Sequence, residues 1–300
     1  MKIGVSLCGG GAMGCISAII AQAITIETGL KMNQLANAFA GTSIGGVLSL
    51  AYSIGHVPDD EVIDIFTEYA DDVFKKNGVL GIFAATYGNE GLIEVMNKYF
   101  GAYKLHDCKV PTTVTARNYQ IGNLYINSEE MSNLPAVHAA IATASAPMYF
   151  KPYPFESYDK KYIAYDGGLF AQNPSDILLA DFVAKEISPK EVVIVNIGTG
   201  FSRESQDKIK NPNKLKTVKL VIDECLDSQI DHVTRNMQKF IGNRYINFDF
   251  EVAPEINQMD KIEYIQEWIR LAKNYVKSAE FQENIYLLKQ YLTKNDTANS

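Results

Sequence analysis

Short apolar runs alternate along the chain with longer stretches in which apolar residues recur every three or four positions, and glycines mark most of the junctions. Residues 3–7 (IGVSL) have the length and composition of a strand, broken by Gly9-Gly10-Gly11. Residues 12–27 then predict a helix, with Gly29 as its stop. Residues 37–40 predict a second buried strand ending at Gly41, and residues 44–54 a small, apolar, buried helix. Residues 59–76 predict an amphipathic helix. Val62, Phe66, Tyr69 and Val73 recur at helical spacing, and acidic residues stand at its start, where the helix dipole favours them. Further along, residues 92–100 and 136–144 predict helices, 110–117 and 124–127 strands, and 162–165 a strand leading into Asp166. A helix from about residue 173 precedes an apolar strand at 192–197 that ends in Gly198-Thr199-Gly200. Residues 203–219 predict a lysine-bearing loop, and 219–240 and 261–292 helices, with a short strand at 245–250 between them.

Strands alternating with helices, most of them ending in glycine turns, predict an α/β fold with a mainly parallel central sheet and helices on both faces. No repeat, low-complexity segment or linker divides the chain. The expected organisation is one domain over residues 1–300, with the motifs in about 1–200 and C-terminal helices in about 201–300. The 28 basic and 35 acidic residues leave a net charge of −7, which argues against a broad phosphate-binding face and so against nucleic acid as partner. Cys8, Cys15, Cys108 and Cys225 form no C-x-x-C pair and no zinc spacing with histidine, so neither a metal site nor a disulfide framework is expected. The first residues lack the pattern of a signal peptide, and the longest apolar stretch, 12–24, is shorter than the ~20 residues of a membrane span. The expectation is a cytoplasmic protein, with peripheral membrane contact at most.

Three motifs carry chemistry. Gly41-Thr42-Ser43-Ile44-Gly45-Gly46 is a G-x-S-x-G between a strand and a helix. Gly41 and Gly45 permit a tight turn that exposes the serine hydroxyl at a helix N-terminus, where free N–H groups stabilise an anion. A purely structural turn is the bland alternative. The second motif, Gly9-Gly10-Gly11-Ala12-Met13-Gly14, also lies between strand and helix. As G-x-G-x-x-G it can cradle a dinucleotide, but that reading needs an acidic residue about 20 positions further on, and none occurs from Thr28 to Pro58. The competing reading is an oxyanion hole made by the N–H groups of Gly9, Gly10 and Gly11. The third motif, Asp166-Gly167-Gly168 followed by Asn173-Pro174, leaves a carboxylate unshielded by bulky neighbours, although aspartates also occur in ordinary turns.

The histidines are His56, His106, His138 and His232, and only His232 follows Asp166, as Ser–Asp–His order requires. It sits in a polar helical stretch with nothing to project it. Only 42 residues precede Ser43, too few for the several strands that come before the nucleophile of an ordinary α/β-hydrolase. The residues thus offer a serine and a carboxylate base without a convincing imidazole.

In combination these blocks resemble the patatin-like phospholipases, related to the plant patatins and the cytosolic phospholipase A2 catalytic domain. Gly9–Gly14 resembles the family's oxyanion loop, Ser43 its G-x-S-x-G serine, Asp166–Gly168 its Asp-Gly-Gly/Ala block, and Asn173-Pro174 the Asn-Pro that follows. Residues 142–150 (ATASAPMYF) and 196–200 (NIGTG) agree as well, so the resemblance covers about residues 1–200. It implies a lipid acyl hydrolase with a Ser43–Asp166 dyad, a glycine oxyanion hole, no metal or other cofactor in catalysis, and a lipid substrate met by transient membrane contact. Gly167 and Gly168 would support the base. Where the family loop usually begins with Asp and carries Arg or Lys before its last glycine, this chain has Cys8 and Met13, so a cation near the loop is lost. The rival reading is a catalytically silent member that binds a lipid or anionic ligand through the glycine loop. Two segments bear on membrane contact: the apolar stretch from Val79 to Tyr87, as a lid or else a buried loop, and the lysines Lys208, Lys210, Lys214, Lys216 and Lys219, as a headgroup contact or else a solvated loop.

Overall fold

The computed structural model describes residues 1–76, 85–202 and 214–296, with backbone only for 214–220 and 294–296. Eight strands form one sheet: β1 (Lys2–Leu7), β2 (Ala38–Thr42), β3 (Thr112–Asn118), β4 (Gly122–Asn127), β5 (Tyr153–Ser157), β6 (Lys160–Asp166), β7 (Val192–Ile197) and β8 (Tyr245–Phe248). The order is β5-β6-β3-β2-β1-β7-β8, with β4 also paired to β3. Strands β3, β2, β1, β7 and β8 are mutually parallel, whereas β4, β5 and β6 join antiparallel at one end. The sheet is therefore mainly parallel, as expected, with an antiparallel extension. Central strands read as nearly continuous apolar runs because both faces are covered. In β7, Val193, Val195 and Ile197 face one core, and Val192 and Ile194 another.

Ten helices are described: α1 (Gly14–Thr28), α2 (Met32–Leu35), α3 (Ile44–Ile54), α4 (Val62–Val73), α5 (Asn89–Phe100), α6 (Ala136–Ala144), α7 (Ser175–Ala184), α8 (Lys214–Ile241), α9 (Ile265–Tyr275) and α10 (Ala279–Asp296). Helices α1, α9 and α10 bury one face of β1, β7 and β8 around Trp268, whose indole N–H donates to the Ile256 carbonyl at 2.9 Å. Helices α7 and α8 cover the opposite face, and α3, α5 and α6 cover β3, β4 and β6. By length and composition residues Gly11–Thr28 suffice to cross a membrane, contrary to the expectation from the sequence, but Cys15, Ile16, Ile20 and Ile24 are fully enclosed in the core.

Other expectations need correction. The helix expected over 59–76 is confined to α4, and the one over 261–292 is divided into α9 and α10. Ser278, whose hydroxyl accepts the Phe281 N–H at 3.2 Å, starts the second of these. Lys214, Lys216 and Lys219 lie on α8 rather than in a loop, while Lys208 and Lys210 lie outside the described residues. Strand β5 was not anticipated. It holds Pro154, which an edge strand tolerates because, among the described residues, no further strand pairs with its outer side.

One feature of the register positions the site. Along β3, β4 occupies one edge throughout, and β2 and β6 share the other. Parallel β2 climbs this edge and ends with Thr42 opposite Thr115, and antiparallel β6 descends it and ends with Asp166 opposite Ala116. The strands that precede Ser43 and end in Asp166 thus terminate beside consecutive residues of β3, about 3.3 Å apart along that strand.

Candidate active site

Ser43 joins β2 to α3 with φ 55° and ψ −129°, a conformation that L-residues rarely adopt and that costs about 1–3 kcal/mol. Surrounding contacts impose it. The Ser43 N–H donates to Thr143 Oγ1 at 2.9 Å, and its carbonyl accepts the Gly46 and Val47 N–H groups. Glycine is required on either side. A Cβ at Gly41 would lie 2.2 Å from the Gly45 carbonyl oxygen, and one at Gly45 would lie 2.2 Å from the Leu7 carbonyl oxygen. The turn is thereby pressed onto the end of β1.

Asp166 is 5% exposed. Its carboxylate accepts the Gly168 N–H at 2.7 Å and lines, with Ser43, one hollow at the end of the sheet. Burial raises its pKa from 3.8 to about 6, against the lowering effect of the neighbouring Ser43 side chain and the Gly168 N–H. Gly167 lets the chain turn directly over β3, since a Cβ there would lie 2.0 Å from Thr115 Oγ1. The Thr42 hydroxyl is within 2.7 Å of Thr115 Oγ1 and donates to the Ala171 carbonyl, tying the end of β2 to the loop after Asp166.

The glycine loop lies beside this pair. The Gly9 N–H is engaged by the Gln172 carbonyl at 3.1 Å, which corrects its expected place among the oxyanion donors. The Ala12 N–H is taken by the Met259 carbonyl at 2.8 Å and that of Met13 by Gly10 at 3.1 Å. Among the described residues, no acceptor is found for the N–H groups of Gly10 and Gly11. Both residues line hollows that they share with Ser43. Gly11 has φ +56°, and a Cβ there would lie 2.5 Å from the Met259 carbonyl oxygen. Thr199 of the 196–200 block holds the loop from behind, its hydroxyl donating to the Gly9 carbonyl at 2.8 Å. Where the family carries a cation, Met13 is 2% exposed, and Cys8 is buried with its thiol 3.4 Å from Asn196 Oδ1.

Ser43 opens onto an apolar cavity of about 110 Å³ lined by α3, α4 and α5, among them Val47, Ala51, Phe66, Leu92 and Met96. On its other side, Gly10, Asp166, Leu169 and Leu226 line a second, smaller hollow. His232 is exposed on α8, with Nε2 3.0 Å from Asn236 Nδ2, and does not border either hollow. His56 packs on Phe100 and Tyr103, and His138 on Tyr153 and Phe155. Among the described residues no three His, Cys, Asp or Glu side chains are grouped to hold a metal ion. Of the stretch from Val79 to Tyr87, residues 79–84 lie outside the described residues. Tyr87 is buried and donates from its hydroxyl to Asp260 Oδ2 at 2.9 Å.

Sequence reasoning missed the supporting roles of Thr143, which lies in the 142–150 block but was not singled out there, and of Gln172 and Met259, which act through ordinary contacts and carry no local motif. It also missed Asp249, buried with a pKa raised to about 7 by desolvation, which accepts the Gly200 N–H at 2.9 Å and so holds the turn behind the glycine loop. The strand-ending acid in 245–250 was its only signal.

A strained serine at a helix N-terminus, a buried carboxylate beside it and an apolar cavity together make a site suited to ester hydrolysis on an α/β sheet. The sequence profile of the patatin-like phospholipases matches residues 5–179, and the chain belongs to that family, whose members are lipid hydrolases. It is 30% identical over 220 residues to a cGAMP-activated phospholipase of Escherichia coli (strain TW11681), covering 65% of this chain and 61% of that protein. The chain thus aligns to about three fifths of that relative's length. A cGAMP-activated phospholipase of Pseudomonas aeruginosa (strain BWHPSA011 / Pa011) is 26% identical over 272 residues, covering 84% of this chain and 79% of its own. Human calcium-independent phospholipase A2-gamma is 23% identical over 258 residues, covering 76% and 32%. Among solved structures, VipD from Legionella pneumophila superposes with a TM-score of 0.48 at 12% identity, covering 90% of this chain and 67% of that one.

Proposed function

We propose that the protein is a serine acyl hydrolase that releases fatty acids from phospholipids or related acyl esters. The observation that carries this reading is the placement of Ser43 beside a buried carboxylate whose pKa is raised to about 6, both lining one hollow. A carboxylate of ordinary acidity is a weak base toward a serine hydroxyl near neutral pH, and burial strengthens it while leaving it largely ionised at pH 7. Asp166 takes the proton of Ser43 Oγ as that oxygen attacks the ester carbonyl. The developing oxyanion is received by the N–H groups of Gly10 and Gly11, with the N-terminus of α3 adding its dipole. Collapse expels the alcohol, which leaves with the proton from Asp166, and the acyl chain stays on Ser43 in the apolar cavity. Water, deprotonated by Asp166, then attacks the acyl-enzyme, and the fatty acid departs as Ser43 recovers its proton.

The test is mass spectrometry of lipids consumed by the purified protein, run with and without cGAMP because two relatives bear that activation in their names. Wild type is expected to release fatty acid and to be labelled at Ser43 by a fluorophosphonate, and Ser43→Ala and Asp166→Asn to lose turnover while folding normally. Turnover retained in either variant refutes the dyad. Unlabelled wild type, with lipids untouched under both conditions, favours the silent, ligand-binding reading.

A further inference from the structure

Past the point where Ser43 and Asp166 meet, β3, β4, β6 and β5 continue as the antiparallel extension. Its inner face is buried through Ala116, Leu124, Ile126 and Ala164. The other face carries Tyr125, Arg117 and Ile163, by the strict alternation of side chains along strands. Among the described residues no helix closes this outer face. Tyr125 is 46% exposed and Ile163 42%, and at the tip of the β3–β4 hairpin Tyr119 reaches 76% and Ile121 65%. The surface runs into the active site. The Tyr119 N–H donates to the Ile163 carbonyl at 3.1 Å, the Tyr125 ring meets Phe170 edge-on at 5.7 Å, and the adjoining Leu169, 45% exposed, borders the hollow that holds Ser43 and Asp166.

Its charge is equally distinctive. On a chain of net charge −7, residues 115–127 hold no acid and one cation, Arg117, whose guanidinium donates to Asn123 Oδ1 at 2.7 Å. Within 160–170 the only acid is the buried Asp166, and the cations are Lys160 and Lys161, the latter paired with Glu156 at the far end of the two strands. Aliphatic and tyrosine side chains around an arginine suit an interface where acyl chains meet phosphates. An acidic body would be held away from an anionic bilayer on its other sides.

We propose that this face (Tyr119, Ile121, Tyr125, Ile163, Leu169 and Phe170, with Arg117) is the surface by which the protein docks on a phospholipid bilayer, bringing the Ser43 opening against the membrane. The inference rests on the acyl-hydrolase reading for its choice of partner. Binding is read in the Ser43→Ala protein by co-sedimentation with vesicles of phosphatidylethanolamine and phosphatidylglycerol. In the active protein, hydrolysis of those vesicles is compared with hydrolysis of the soluble ester p-nitrophenyl butyrate. Tyr119→Ser/Ile121→Ser is expected to lower vesicle binding and vesicle hydrolysis about tenfold and to leave the soluble ester unchanged. Equal vesicle binding with and without these substitutions overturns the proposal. A second probe is independent of their effect on folding. The chain has one tryptophan, the buried Trp268, so in Ile121→Trp a blue shift of emission on adding vesicles reports insertion of the tip, and an unshifted spectrum refutes it. A wild-type dimer that ignores vesicles and is dissociated by Tyr119→Ser/Ile121→Ser would make the face a contact between copies and overturn docking. Wild type inert toward both substrates, with and without cGAMP, would refute the hydrolase reading alone, since the binding measurements do not use turnover.

Discussion

Asp166→Asn should abolish hydrolysis and at the same time stabilise the protein, by an amount that depends on pH. Burial lifts this carboxyl from 3.8 to about 6. Below about pH 4 it is protonated in both the folded and unfolded chain, and no cost arises. Between about pH 4 and 6 the unfolded chain ionises first, so the folded state binds more protons and stability falls as pH rises. Above about pH 6 both states are ionised, and the folded state carries the full cost of a buried charge, about 3 kcal/mol at about 1.4 kcal/mol per pH unit. Asparagine has nearly the same shape, keeps an oxygen to accept the Gly168 N–H, and carries no charge at any pH. The variant should therefore match wild type near pH 4 and exceed it by up to about 3 kcal/mol near pH 8. Urea unfolding of both proteins across that range measures the difference. Asp249, raised to about 7, bends the individual curves, but it is common to both proteins and cancels in the comparison. In wild type, kcat/KM should rise with pH through an apparent pKa near 6. A variant no more stable than wild type near pH 8, or an advantage that persists near pH 4, would show that Asp166 is not held in the desolvated setting its proposed role as base requires.

Other substitutions probe the remaining parts of the site. Ser43, Val47 and Ala51 lie along one face of α3, so the cavity extends roughly 12 Å from the nucleophile to Ala51. Ala51→Phe should cut kcat/KM for long-chain esters at least about tenfold relative to a butyryl ester, at about 1–3 kcal/mol in stability. An unchanged chain-length profile would place the acyl chain elsewhere. Gly11→Ala must hold a side chain at φ +56° against the Met259 carbonyl, and should lower kcat by about a hundredfold and stability by about 1–3 kcal/mol. Full turnover in that variant would remove Gly11 from the oxyanion site. Ser43→Gly relieves the φ 55° turn that Ser43→Ala retains, so in urea the glycine variant should be the more stable of the two by about 1 kcal/mol. The reverse order would mean that the turn stores no strain.

Much of the architecture was legible because it is local. The apolar runs of β1, β2 and β7, the glycines that end them and the periodicity of α3 and α4 act over a few residues, and steric limits on the backbone then leave few alternatives. The same holds for the strained turn at Ser43, which Gly41 and Gly45 announce. Where tertiary packing overrides local preference the reading failed. Pro154 sits in β5 because that strand is at an edge, and the Gly9 N–H is withdrawn from the site by Gln172, a partner remote in sequence. Composition and motif order were enough to bring a serine, a carboxylate and a glycine loop into one chain and to exclude a dinucleotide cradle. Their convergence belongs to the sheet alone. Because β2 and β6 share one edge of β3 and end beside Thr115 and Ala116, two residues distant in the chain come to line one hollow, and the helices packed around them bury the carboxylate and raise its pKa to about 6. Strand register and desolvation are properties of the assembled fold, and no short stretch of residues encodes either one.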